Sequence, residues 1–204
     1  MIGIIDYGVS NLKSVHNALN FVGAENEIFS EASAISRYDK LILPGVGAFG
    51  LAMDRLNKTG FSDAIRETVL IQKVPFLGIC LGMQLILDSS TEKGFHKGLG
   101  LIQGEVKFLG DRVQAFPVPH VGWNEVNFKA DFKLIAGMTL TERNFYFVHS
   151  FYCDLNNKEQ VCATVHYDFE FDVGVQHENI FAFQFHPEKS QKNGLALLKN
   201  FSSL

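Results

Sequence analysis

Val74-Pro75-Phe76-Leu77-Gly78-Ile79-Cys80-Leu81-Gly82-Met83-Gln84 joins an apolar run to a second apolar run through a cysteine set between two glycines. Residues 74–79 are short enough for one buried strand, and residues 83–87 predict the first turns of a buried helix. Strand, Gly-x-Cys-x-Gly, helix is the outline of a nucleophile elbow. The glycines permit a close approach of strand and helix around a strained turn. The turn lifts the sulfur to a helix start, where backbone N–H groups favour a thiolate. A buried structural cysteine is the competing reading of this stretch alone, because free cysteine is often core.

Working outward, the alternation on the N-terminal side supports an α/β fold. Ile2-Gly3-Ile4-Ile5 predicts a strand. Leu12, Val15, Leu19 and Val22 recur at helical spacing, with Ser10 as a candidate cap and Gly23 as the stop. Strands follow at 27–29 and 40–43, and helices at 49–56 and 61–71. Strands apolar on both faces predict a mostly parallel central sheet with helices on both faces. Beyond Gly94 the pattern changes. Residues 99–108, 121–128, 145–153 and 160–167 alternate as antiparallel strands do, 181–185 predicts one more strand, and 194–201 a closing helix. No repeat or linker interrupts the chain, so residues 1–204 read as a single domain.

Composition narrows the partners. Net charge is −4 over 204 residues, which gives no reason to expect nucleic acid or an anionic membrane. No run reaches the apolar length of a membrane span, and the start carries no basic, cleavable leader. Cys80, Cys153 and Cys162 cannot all pair, and their spacing forms no zinc knuckle; this suits a reducing cytoplasm. No metal or cofactor is expected.

The strand at 181–185 runs into His186-Pro187-Glu188. A histidine at a strand end, two residues before a carboxylate, can pair one ring nitrogen with a thiol and the other with that carboxylate. A plain surface turn is the alternative for this tripeptide alone.

Taken together, Pro44-Gly45-Val46-Gly47, Gly78-Ile79-Cys80-Leu81-Gly82-Met83-Gln84 and His186-Pro187-Glu188-Lys189-Ser190 resemble the class I glutamine amidotransferase (triad glutaminase) family. Asp6-Tyr7-Gly8, Pro119-His120-Val121-Gly122-Trp123-Asn124 and Tyr146-Phe147-Val148-His149-Ser150 are similar to the branch that serves imidazole glycerol phosphate formation in histidine biosynthesis. The alternative is a paralogous glutaminase supplying an amidino- or amino-sugar pathway of surface polysaccharide. The resemblance implies a flavodoxin-like fold and hydrolysis of L-glutamine to glutamate and ammonia.

It implies residue roles too. Cys80 is the nucleophile, His186 the base and acid, and Glu188 the residue that orients His186. Backbone N–H groups of Leu81 and Val46 form the oxyanion hole. Gly47, Gln84, Glu92, Ser150 and Phe151 hold glutamine, Phe151 standing where tyrosine is common. Pro119, His120, Val121, Gly122, Trp123, Tyr146 and Lys189 form the face and ammonia gate toward a (β/α)₈-barrel synthase subunit, giving a heterodimer. For Glu92 a solvated helix-end charge, and for Trp123 plain core, are the competing readings. Cys153, Cys162, His16, His96, His166 and His177 find no place in the motif and read as structural or surface.

Overall fold

The computed structural model describes residues 1–138 and 143–204. In chain order the elements begin β1 (Ile2–Ile5), α1 (Leu12–Phe21), β2 (Asn26–Phe29), β3 (Lys40–Gly45), α2 (Phe49–Lys58), α3 (Phe61–Arg66), β4 (Phe76–Cys80) and α4 (Leu81–Leu85). Seven strands follow: β5 (Ser89–Ser90), β6 (His96–Lys97), β7 (Gly104–Phe108), β8 (His120–Phe128), β9 (Asn144–His149), β10 (Phe151–Leu155) and β11 (Val161–Tyr167). β12 (Phe169–His177), β13 (Ile180–Phe183) and α5 (Gln191–Ser202) complete the series.

The sheet runs β2-β1-β3-β4-β13-β12-β10-β7-β5-β6, with β11 pairing β12 and β8, and β8 pairing β9. From β2 to β13 the pairings are parallel. From β13 onward they are antiparallel apart from β5 with β7. The strands β1, β3 and β4 are buried on both faces because each face has its own apolar layer. On one side Ile5, Leu41, Leu43 and Phe76 pack with Phe49, Met53, Leu56, Phe61 and Ile65 of α2 and α3. On the other, Ile2, Ile4, Ile42, Leu77 and Ile79 pack with Val15 and Leu19 of α1 and Leu197, Leu198 and Phe201 of α5. Full burial of each such large side chain contributes roughly 1.5–3 kcal/mol. The expected parallel sheet with helices on both faces, carrying antiparallel strands in the C-terminal half, is the observed architecture.

Several local expectations change. Ser10 does not cap α1; Asn11 holds that position, and its Oδ1 accepts from the Ser14 hydroxyl at 3.1 Å rather than from a backbone N–H of the first turn. The buried helix after Cys80 stops at Leu85 because its last carbonyls are taken from outside. Leu99 N–H donates to Leu85 O at 2.8 Å, and Leu101 N–H to Ile86 O at 2.8 Å. The same bonds hold residues 99–103 as a loop, so the strand expected at 99–108 shrinks to β7. The strand expected at 145–153 divides at Ser150, where the chain leaves its pairing with β8 and joins β7 and β12. β12 escaped the pattern reading because Asp172 and Gly174 break its apolar run. Asp172 is buried but satisfied by Leu155 N–H and the Lys158 ammonium. Pairing of β13 ends at Phe183, two residues short of the expected end.

Candidate active site

Cys80 sits where β4 passes directly into α4, with φ 54° and ψ −109°. That left-handed conformation is strained for a residue with a side chain and persists because its surroundings impose it. The surroundings are the two glycines. A Cβ at Gly82 would stand 1.9 Å from Leu43 O, and one at Gly78 2.8 Å from Gly82 O. Only hydrogen fits at either position, so β3, β4 and α4 can close around the turn.

The parallel pairing of β4 with β13 carries the chain after Phe183 back beside the elbow. His186 and Glu188 arrive there, both buried, with His186 Nδ1–H donating to Glu188 Oε1 at 2.8 Å. That assignment leaves Nε2 on the Cys80 side, without a hydrogen-bond partner of good geometry. Burial is the largest influence on the imidazole and opposes its charge. Cys80 and Glu188 together outweigh it, and the His186 pKa is raised to about 10. Ser190 fixes the corner: its hydroxyl donates to His186 O at 2.6 Å and accepts from Tyr146 N–H at 3.0 Å.

A cavity of about 370 Å³ opens over the sulfur. Val46, Gly47, Cys80, Leu81, Gln84, Glu92, Ser150, Phe151 and His186 all line it. The residues singled out in sequence for nucleophile, oxyanion hole and glutamine are thus brought to one place. Glu92 is not a free solvated charge, since its Oε2 accepts the Phe49 N–H of α2 at 2.7 Å. Gln84 is buried and donates to Phe151 O at 3.1 Å and to Gln184 Oε1 at 3.0 Å. The N–H of Val46 is turned toward Val9 O at 3.4 Å, beside Gly47 with φ +96°.

The other group is divided. Trp123 is 48% exposed, which removes the plain-core reading, and Val121 and Val148 are exposed beside it. Tyr146 lies edge-on to Trp123 and under the Lys189 ammonium. His120, by contrast, is buried between Phe147 and Tyr167 rather than displayed. Gly122 lies between Val121 and Trp123 on β8, and Pro119 lines the cavity itself.

Two residues had been given no role of their own. His149 lines the cavity; its Nδ1–H donates to Phe151 O at 2.7 Å, and its Nε2 accepts from His120 Nδ1 at 3.0 Å. Burial lowers the pKa of His149 to about 3 and of His120 to about 4, so both rings are neutral. Gln184 is fully buried, with Nε2 3.8 Å from Cys80 Sγ. The available signal was a lone amide in the otherwise apolar run Phe181-Ala182-Phe183-Gln184-Phe185. The remaining cysteines are buried free thiols. Among the described residues, no group of three or more His, Cys, Asp or Glu is placed to hold a metal ion. Nor is any helix there long and apolar enough to cross a membrane.

A strand-to-helix elbow carrying a cysteine, met by a histidine–glutamate pair from a neighbouring parallel strand, defines a class of amidotransferase folds. The family model described as glutamine amidotransferase class-I matches residues 3–203, and the chain belongs to that family. It is 45% identical, with all of both chains covered, to "Imidazole glycerol phosphate synthase subunit HisH" of Leptospira interrogans. It is 47% identical over the full length of both chains to "Imidazole glycerol phosphate synthase subunit HisH 1" of Campylobacter jejuni. Among solved structures, PurLQS from Thermotoga maritima superposes with a TM-score of 0.73 at 17% identity, covering 99% of this chain and 95% of that one; this likeness bears on the fold.

Proposed function

We propose that this chain is the glutaminase subunit of an imidazole glycerol phosphate synthase in histidine biosynthesis. The observation that carries the reading is the buried His186–Glu188 pair set against Cys80 on its strained turn, at the floor of a cavity. Cys80 attacks the side-chain amide carbon of L-glutamine while His186 holds the thiol proton. His186 returns that proton to the departing nitrogen, the C–N bond breaks, and a γ-glutamyl thioester remains for water to hydrolyse. Glu188 keeps Nδ1 of His186 protonated, so that Nε2 does the proton work. Leu81 N–H, and Val46 N–H once it is turned inward, serve the negative oxygen of each tetrahedral intermediate. Gly47, Gln84, Glu92, Ser150 and Phe151 position the substrate, Glu92 through its remaining carboxylate oxygen.

Residues 1–204 act as one cytoplasmic domain in a heterodimer with a (β/α)₈-barrel synthase subunit. Val121, Trp123, Tyr146 and Lys189, with Gly122, the exposed Pro119 and the buried support His120, form the docking face. Exposed apolar side chains there, contiguous with the cavity mouth, support this reading. The full-length HisH relatives support the pathway over the polysaccharide alternative.

The test pairs Cys80→Ala with the barrel subunit. Glutamine-dependent synthesis should vanish while ammonia-dependent synthesis and partner binding persist. Glutamate release by Cys80→Ala at the wild-type rate would sink the assignment.

A further inference from the structure

Gln184 is an amide with no exposure, placed beside the reacting sulfur and outside the cavity lining. Burying an amide is unfavourable unless its hydrogen bonds are made. Here they are, and they fix its orientation without ambiguity. Phe151 O can only accept, so Gln84 must turn its NH₂ toward it. The same NH₂ donates to Gln184, whose oxygen must therefore face Gln84. The Gln184 NH₂ is left pointing at Cys80 Sγ, 3.8 Å away. Reversing either amide would set oxygen against oxygen or nitrogen against nitrogen.

We propose that Gln184 positions and stabilises the Cys80 thiolate, through a side-chain N–H whose direction is locked by Gln84 and the Phe151 carbonyl. A thiol sulfur is a weak acceptor and a thiolate a strong one, so this donor favours the anion selectively. The proton it helps to release goes to Nε2 of His186, so no further reactant is needed. The inference rests on reading Cys80 as the nucleophile. The titratable groups around that sulfur are His186 at the end of the β13 segment, Tyr7 after β1, Cys153 on β10, His149 on β9 and Glu92 across the cavity. Gln184 differs from all of them in being unable to titrate. Its effect is constant with pH, and it sets where the thiolate forms.

The experiment measures carboxamidomethylation of Cys80 against pH, with glutamine hydrolysis, in the full-length chain and in Gln184→Met and Gln184→Glu. Losing one hydrogen bond to a charged group should raise the alkylation midpoint by about one pH unit in Gln184→Met, and by at least as much in Gln184→Glu. kcat at neutral pH should fall about tenfold with KM little changed. A variant that melts like wild type and keeps both midpoint and kcat overturns the proposal. Should neither variant fold, the unmodified chain decides. The Gln184 side-chain NH₂ resonances, labelled with ¹⁵N, should shift with the midpoint of Cys80 alkylation, and resonances that do not respond overturn the proposal. Alkylated Cys80 that still hydrolyses glutamine would instead remove the nucleophile reading itself.

Discussion

The Val46 amide makes a kinetic prediction that can be worked through. Its N–H is committed to Val9 O at 3.4 Å, a long bond, and so does not face a negative oxygen beside Cys80. Turning the Gly45–Val46 peptide forfeits that bond, roughly 0.5–1.5 kcal/mol. A donor to the tetrahedral oxygen returns roughly 2.7–4 kcal/mol, but only once that charge exists. At rest the balance therefore favours the Val9-bound state. The isolated chain, which must first turn this peptide, should therefore turn over glutamine about 2–13 times more slowly than a chain with the amide already inward. Val46 is exposed and lines the same cavity as Pro119 and the exposed Val148, so a docked partner can bias the loop by touching it in one state only.

The perturbation is addition of the barrel subunit and then of its acceptor, and the assay is steady-state glutamate release under each condition. Cys80 alkylation of the isolated chain is the control. It needs no oxyanion hole, and with His186 held charged it should already proceed as for an activated thiol. Equal kcat in all three conditions would refute the reasoning. So would an isolated chain whose Cys80 alkylates like an ordinary thiol, since the defect would then lie in the nucleophile.

Three further outcomes follow from named contacts. Glu188→Gln should lower kcat about a hundredfold or more with little change in KM. The amide either turns His186 to its wrong tautomer or leaves a donor at the buried, unpartnered Oε2 position, ~3 kcal/mol in all; kcat near wild type would refute it. His120 and His149 fold neutral, with pKa values of about 4 and about 3, below their unfolded value near 6.5. Their contribution is complete above about pH 6.5 and is lost as pH falls toward those values, at up to ~1.4 kcal/mol per pH unit each. Urea unfolding between pH 6 and 4 should show that slope, and His120→Phe should reduce it by about half. Gly82→Ala should destabilise the fold by ~3 kcal/mol or more, because its Cβ would enter the Leu43 carbonyl, and a thermal melt close to wild type would contradict the geometry.

What the sequence settled by itself was whatever rests on local pattern. Apolar runs at Ile2–Ile5 and 40–43, helical spacing in 12–22, and the Gly-Ile-Cys-Leu-Gly turn each carry their own cause, so the parallel half of the sheet and the elbow were legible. Cys80, His186 and Glu188 were candidates for the same reason, as residue types next to predicted strand ends, and the structure brings the His186–Glu188 pair back beside the elbow. Tertiary pairing decided the rest. Loop residues 99–102 look like a strand but cap the carbonyls of α4 instead. Ser150 falls inside an unbroken β-rich run, yet the chain changes strand partners there. Glu92, with a solvated charge as its competing reading, and His120, assigned to the partner face, are each claimed by a partner 43 or 29 residues away. Gln184 has no motif at all. Its meaning comes from Gln84, a hundred residues earlier on α4, and from the Phe151 backbone carbonyl on β10. Hydrogen-bond direction is set by what each group meets in space, and no local spacing encodes that.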